Sequence, residues 1–396
     1  MPVIAGRKSR SSFGWLCICY VALRVLAGCA TSPLSENATV RIENDWEAVF
    51  IRSDGWTGAD GAATVPLPNH RTLWLFGDSW IGPARDGRHI EGNSMVNNTI
   101  AISAASPTPP WPDEIRFLWG TKDGKPAAWA IPTQKDEWFW PASGGAIAPG
   151  PDGKDRLLLF MARIARLDNS DSVWNFDGRG SSLIIVRNPA DEPERWDVSQ
   201  ATLNSYKHGE PPITWGAAVV VIPGDSAPDV LIYGIDGANG FNKKVLLARA
   251  PAATAEHMNT WRYHTASGWS AQQSAATPIV QNVAGELTVC PVQIDGSRVW
   301  VMIHSEPPLG AGIMARTAPA PEGPWSEAAK IYTCPEPAID PKMMIYSAKA
   351  HPELSRPGEL LISYSVNSTD FWDIVAHADK YRPRFVRVPV TELRPR

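Results

Sequence analysis

Apolar and polar positions alternate along this chain in a short rhythm. Brief runs rich in Val, Ile, Leu and aromatics are bounded by Gly, Pro, Asn and Asp, and helical periodicity is hard to find after the N-terminal segment. That pattern predicts an all-β domain. One strongly apolar strand recurs, starting at Leu73 (LWLFGD), Leu157 (LLLFMA), Val230 (VLIYGI), Val299 (VWVMIH) and Leu360 (LLISYS). Each copy follows a strand of small residues: GADGAATVPL, PASGGAIAPG, TWGAAVVVIP, GELTVCPVQI and YSAKAHPEL. Most copies are followed by a third strand and an edge bearing Pro and Trp, as in SSLIIVRNPADEPERWDV. Small, apolar, apolar, polar edge is the order of a propeller blade, whose first strand lies at the crowded axis where only small side chains fit. A many-stranded sandwich would not explain why small residues gather in the first strand of each unit. The fold predicted is a five-bladed β-propeller over residues 45–396, with blades at approximately 45–130, 131–205, 206–265, 280–335 and 340–396. The first blade is the longest and carries an insertion from Pro107 to Pro132.

The N-terminus follows a different pattern. Arg7, Lys8 and Arg10 precede a short apolar run, Phe13–Leu23, and then Leu26-Ala27-Gly28-Cys29. The run is too short for a spanning helix and has the flanks of an export signal. LAGC resembles the lipobox of bacterial lipoproteins, with Arg24 as a departure because it interrupts the apolar segment. The resemblance implies a signal peptide at 1–28, a lipidated Cys29, a flexible leader at 29–44 and an extracytoplasmic domain anchored to the bacterial cell envelope. Two other cysteines survive processing, Cys290 and Cys334. In an oxidising compartment they either pair or remain two buried thiols. No Cys/His cluster has zinc spacing, so no metal ligands are assigned. A formal net charge of −4 provides no basic face for nucleic acid.

Composition adds a chemical hint. Pro at 36 implies many short loops, and Trp at 18 is several times the usual share. Most of these rings would fill gaps between sheets, while some would line a sugar-binding cleft. In a propeller, residues distant in sequence meet where the innermost strands end. Asp60 stands at the entry to the first inner strand among Gly58, Gly61 and Ala62. Asp78 closes the following apolar strand, with Trp56, Trp74 and Trp80 nearby. Two carboxylates flanking a bond are what glycoside hydrolysis requires, one protonated and the other ionised. Glu286, in the fourth inner strand, is a reserve acid. Asn97, Asn98, Trp56, Trp80, Trp138, Trp140, Trp215, Lys349 and His351 are candidate sugar contacts. The expected partner is therefore a polysaccharide or oligosaccharide, bound catalytically or by a non-catalytic glycan-binding lipoprotein. No Gly-x-Ser-x-Gly context supports a serine hydrolase. Phosphate loops and dinucleotide fingerprints are absent. The sequence requires no cofactor and leaves an axial ion open.

ADGAATVPLPNHRTLWLFGDSWIG, SAKAHPELSRPGELLISYSVNS and YRPRFVRVPV resemble the end motifs of secreted bacterial proteins of the domain of unknown function 4185 and 5005 kind. The likeness spans Trp46 to Val390. Those families are similar to five-bladed propeller glycosidases such as glycoside hydrolase family 43, and one branch is associated with endo-D-arabinanase activity. The resemblance implies catalytic carboxylates on the first blade, which fall on Asp60 and Asp78, and an arabinofuranose polymer as a candidate substrate. There is one departure. WFWPASGG carries no acid where related sequences would carry WPGDG, so the second blade lacks a carboxylate.

Overall fold

The computed structural model describes residues 40–111, 113–167, 175–205, 212–237 and 243–394. The expected signal peptide and Cys29 lie outside these residues. The described chain is all-β with few, short helices, and five antiparallel sheets of four or more strands follow one another in sequence. Their first strands are Ala63–Leu67, Glu137–Pro149, Thr214–Ile222, Leu287–Ile294 and Met343–Ala350. Their second strands are Arg71–Phe76, Asp155–Arg166, Asp229–Asp236, Ser297–Ser305 and Glu359–Ser368. These second strands contain the recurrent apolar runs and are buried along most of their length. Both of their faces are covered, so no alternation with polar residues is needed. The third sheet runs further than expected, because Val280–Val283 pairs back onto Lys243–Pro251.

The cores lie between neighbouring sheets. Leu73 and Leu75 of the first sheet pack with Leu157 and Leu159 of the second. Phe160 and Trp215 join the second and third sheets. Tyr233 and Met302 join the third and fourth, and Ile303 and Ile362 the fourth and fifth. Finally Leu361 and Phe385 of the fifth sheet meet Trp74 and Phe76 of the first, which returns the succession to its start. Small residues in the first strands have a direct cause. A Cβ on Gly144 would collide with the Gly216 carbonyl, and a Cβ on Gly216 with the Phe160 ring. The first strands of sheets two, three and five also bulge at matching places, Pro141/Gly145, Trp215/Ala218 and Tyr346/Lys349. Each bulge holds a residue at positive φ: Ser143, Gly216 and Ser347. Bulges bend a strand and redirect its side chains, and they recur beside functional sites.

The first and last described strands meet on the last sheet. Arg41–Ile42 pairs with Pro383–Pro389 as its outer strand, so the final residues of the expected leader are ordered, and the domain begins before residue 45. Helix Asn44–Val49 then buries Trp46 in the core between the fifth and first sheets. Glu43 holds Arg387, whose side chain is fully buried, at 2.9 Å. Breaking one partner of a buried ion pair leaves a charge without compensation. Glu43→Ala is therefore expected to lower the unfolding free energy by about 3 kcal/mol, as measured by urea denaturation. A loss below about 0.5 kcal/mol, typical of a surface change, would contradict this account of the closure.

Candidate active site

Asp60 precedes the first strand of the first sheet, Asp78 follows its second strand, and Glu286 precedes the first strand of the fourth sheet. All three therefore stand at the same end of their sheets. The structure brings them within electrostatic reach of one another. The Glu286 charge acts on Asp60, and the Asp60 charge acts on Asp78.

Asp60 is set by the backbone of its own hairpin. Its carbonyl accepts from Gly77 N–H at 3.0 Å. A Cβ at Gly77 would run into Asp60 Oδ1, so any larger residue there would displace the carboxylate. The fifth sheet supplies the other contacts. Tyr346 donates its hydroxyl to Asp60 Oδ2 at 2.6 Å, and Asn367 Nδ2 donates to the Tyr346 oxygen at 3.1 Å. The Tyr381 hydroxyl, just before the last strand, also acts on Asp60 and favours its charged form. Burial and the Asp60 charge keep both tyrosine hydroxyls protonated, so both act as donors.

Asp78 takes its contacts from the first and second sheets. Trp140 Nε1 donates to Oδ1 at 2.8 Å and Asn97 Nδ2 to the same oxygen at 3.3 Å. Oδ2 has no partner among the described residues. Glu286 is engaged by Lys349 at 3.4 Å, and the Lys349 ammonium, itself buried, also contacts Ser347 on the fifth-sheet bulge. This cation offsets part of the negative charge of Glu286 and Asp60.

Burial, supported by the Glu286 charge, pushes Asp60 up to about 6, against the stabilising Tyr346 bond. Burial and the Asp60 charge push Asp78 further, to about 7, against the Trp140 and Asn97 bonds. Two carboxyl groups that cannot both ionise easily behave as a pair sharing a proton near neutral pH. Beside them Trp138 and Phe176 meet the Trp140 ring edge-on, with centroids 6.0 and 4.7 Å away. These half-buried rings form an aromatic wall on the second sheet. Among the described residues, no group of three or more His, Cys, Asp or Glu is arranged to hold a metal ion.

Several expected sugar contacts lie elsewhere. Trp56 and Trp215 are core residues, 1% and 0% exposed, and have no face to offer a ligand. Trp80, 3% exposed, stacks on His89 under helix Phe371–Ala376. Asn98 uses its amide to hold the Ala130 and Phe139 backbone. His351 bridges Thr64 and Ser363 at 2.8 and 2.7 Å, joining the first and last sheets, and burial lowers it to about 3, so it is neutral. Asn97, Trp140 and Lys349 do reach the site, but each engages a carboxylate. Cys290 and Cys334 are free and buried. Tyr346, Tyr381 and Asn367 were missed as site residues, although each lies at the edge of or within a motif that carries the family resemblance.

The raised Asp78 has a consequence for stability. The native state binds this proton more tightly than the unfolded chain does, so the group's contribution falls as pH rises from about 4 towards 7. Asp78→Asn keeps an oxygen for Trp140 and Asn97 and removes the ionisation. The variant is expected to be more stable than the wild type by roughly 1–3 kcal/mol at pH 8, with the gap closing near pH 4. Parallel denaturation at the two pH values checks this, and an equal gap at both would refute it.

Similar folds occur among solved structures. A Bacteroides ovatus protein provisionally described as a hydrolase has 20% identity and a TM-score of 0.67, covering 88% of this chain and 89% of that one. A Dyadobacter fermentans protein of unknown function has 10% identity and a TM-score of 0.45, covering 88% and 98%. A thermostable family-43 glycoside hydrolase has 12% identity and a TM-score of 0.40, covering 84% and 89%. The first of these establishes a shared fold. No curated protein matches the chain. Residues 43–390 match the family described as Domain of unknown function (DUF5005), and the chain belongs to that family.

Proposed function

We propose that this protein is a glycoside hydrolase, built as a five-bladed propeller with the five sheets as blades and Asp60, Asp78 and Glu286 at the axial mouth. The observation that carries the reading is the asymmetry of the two raised carboxyl groups. Asp60 is held on Oδ2 by a tyrosine hydroxyl, which favours the carboxylate form. Asp78 accepts two donors on Oδ1, yet burial and the Asp60 charge outweigh them and raise it further than Asp60, with Oδ2 open for the proton. Asp78 is then the proton donor to the leaving oxygen, and Asp60 is the ionised partner, acting as base or nucleophile. Glu286 supports the pair from the fourth blade, and the Lys349 ammonium offsets the charges of Glu286 and Asp60. The aromatic wall of Trp138, Trp140 and Phe176 suits the apolar face of a sugar ring.

The substrate proposed is a polysaccharide, with an arabinofuranose polymer first among those to try, as the family resemblance suggests. Asp60→Asn and Asp78→Asn are each expected to reduce the release of reducing ends by roughly 10²–10⁴-fold, with circular dichroism unchanged. Glu286→Gln is expected to lose less. Full activity in both Asp variants would sink the proposal, and tight glycan binding by a wild type that cleaves none of a polysaccharide panel would point to a binding lipoprotein. We further propose lipid anchoring through Cys29. Cys29→Ser should move the protein from the membrane to the soluble fraction, and retention at the membrane would count against the anchor.

A further inference from the structure

Asp60 and Asp78 are chemically identical groups on one hairpin, yet the assignment above needs the shared proton to sit on one of them. The groups facing Asp60 are Tyr346 and Lys349 from the fifth sheet, Tyr381 before its last strand, Glu286 from the fourth sheet and Asp78 on its own hairpin. Among these, Tyr346 belongs to a chain of hydrogen bonds with only one possible direction. Ser368 N–H donates to Asn367 Oδ1 at 2.7 Å, which orients the amide. Its Nδ2 must then point away from that contact, and it donates to Tyr346 Oη at 3.1 Å. The tyrosine oxygen therefore accepts from Asn367, and its single proton is directed at Asp60 Oδ2, 2.6 Å away. An oxygen already receiving a proton donor cannot carry a proton of its own towards that donor. The backbone of one strand thus aims a proton donor at a carboxylate on another sheet, which favours the charged form of that carboxylate.

We propose that the Asn367–Tyr346 chain is a positioning element that assigns the proton shared by Asp60 and Asp78 to Asp78. Its catalytic meaning rests on the glycoside hydrolase reading, but the allocation itself is a property of the free protein. Tyr346 touches no reacting atom in this role. It favours the charged form of Asp60 and so leaves the donor function to Asp78. The raised Asp60 and Asp78 values agree with a pair divided in this way, Asp78 being the higher.

The test uses Tyr346→Phe, which keeps the ring and removes only the hydroxyl, and Asn367→Leu, which leaves the hydroxyl but frees its direction. Carbonyl ¹³C NMR of the purified protein follows each carboxyl separately, with Asp60→Asn and Asp78→Asn giving the assignments. In Tyr346→Phe the Asp60 midpoint should rise by about one unit, because a bond to the charged form is lost. The Asp78 midpoint should fall, because its neighbour is less often charged. Asn367→Leu should move both in the same senses by less. If neither midpoint moves, or if both move together, the proposal is overturned. On an arabinan that the wild type cleaves, the kcat/KM profile of Tyr346→Phe should narrow from both sides, a change that a purely structural role would not produce. A wild type inactive on every polysaccharide would defeat the glycoside hydrolase reading, while the titration would still decide the proton allocation.

Discussion

Everything at this site depends on one contact across the seam where the ring of sheets closes. Asp60, from the start of the first sheet, is held by Tyr346, from the start of the last. These residues are far apart in sequence, and they meet only because the fifth sheet packs back on the first. The seam is reinforced well beyond the site. His351 joins Thr64 to Ser363, Gly61 N–H donates to Ser365 Oγ at 3.0 Å, and the N-terminal strand and Trp46 lock the outer layers. A buried carboxylate is costly to ionise, so its neighbours must be fixed by something stronger than the carboxylate itself. The closure supplies that rigidity.

Crowding at the inner strands is the second constraint, and it links fold to chemistry. Glycines allow the first strands to approach until a Cβ would collide with a neighbouring backbone or ring. Strands that close cannot stay regular, and three of them bulge at the same end. The fifth-sheet bulge separates Tyr346 from Lys349, so one strand sends Tyr346 to Asp60 and Lys349 to Glu286. A regular strand would place residues three apart on opposite faces. The bulge therefore gives two adjacent carboxylates different partners.

The repeat of small and apolar strands was legible because sterics at close approach and double-sided burial each impose a residue type. The nearness of Asp60 and Asp78 was legible because they flank the two strands of one hairpin, at its same end. Tryptophan was ambiguous. Trp56, Trp80 and Trp215 have the same composition signal as Trp140, and only packing separates them: the first three have their faces covered, whereas Trp140 directs its N–H at Asp78. Tyr346 and Asn367 were not legible as site residues, because a tyrosine opening a strand and an asparagine closing one have no local pattern that marks them. Their role exists only once the first and fifth sheets are in contact.

The second sheet shows how a missing acid changes the chemistry available. WFWPASGG has no carboxylate to offer the site, and a further anion beside Asp60, Asp78 and Glu286 would raise all of them against a single nearby ammonium. What the strand contributes instead is the Trp140 indole N–H. A neutral donor lowers the cost of a buried carboxylate without adding charge. It also orders that carboxylate, because donors gathered on Oδ1 leave Oδ2 as the place for a proton. Tyr346 of the fifth sheet engages Asp60 and Trp140 of the second engages Asp78, so two chemically identical side chains on a single hairpin have different neighbours. Under the proposed function, that difference is what would let one hairpin provide both an acid and an ionised carboxylate while the other sheets supply their neighbours.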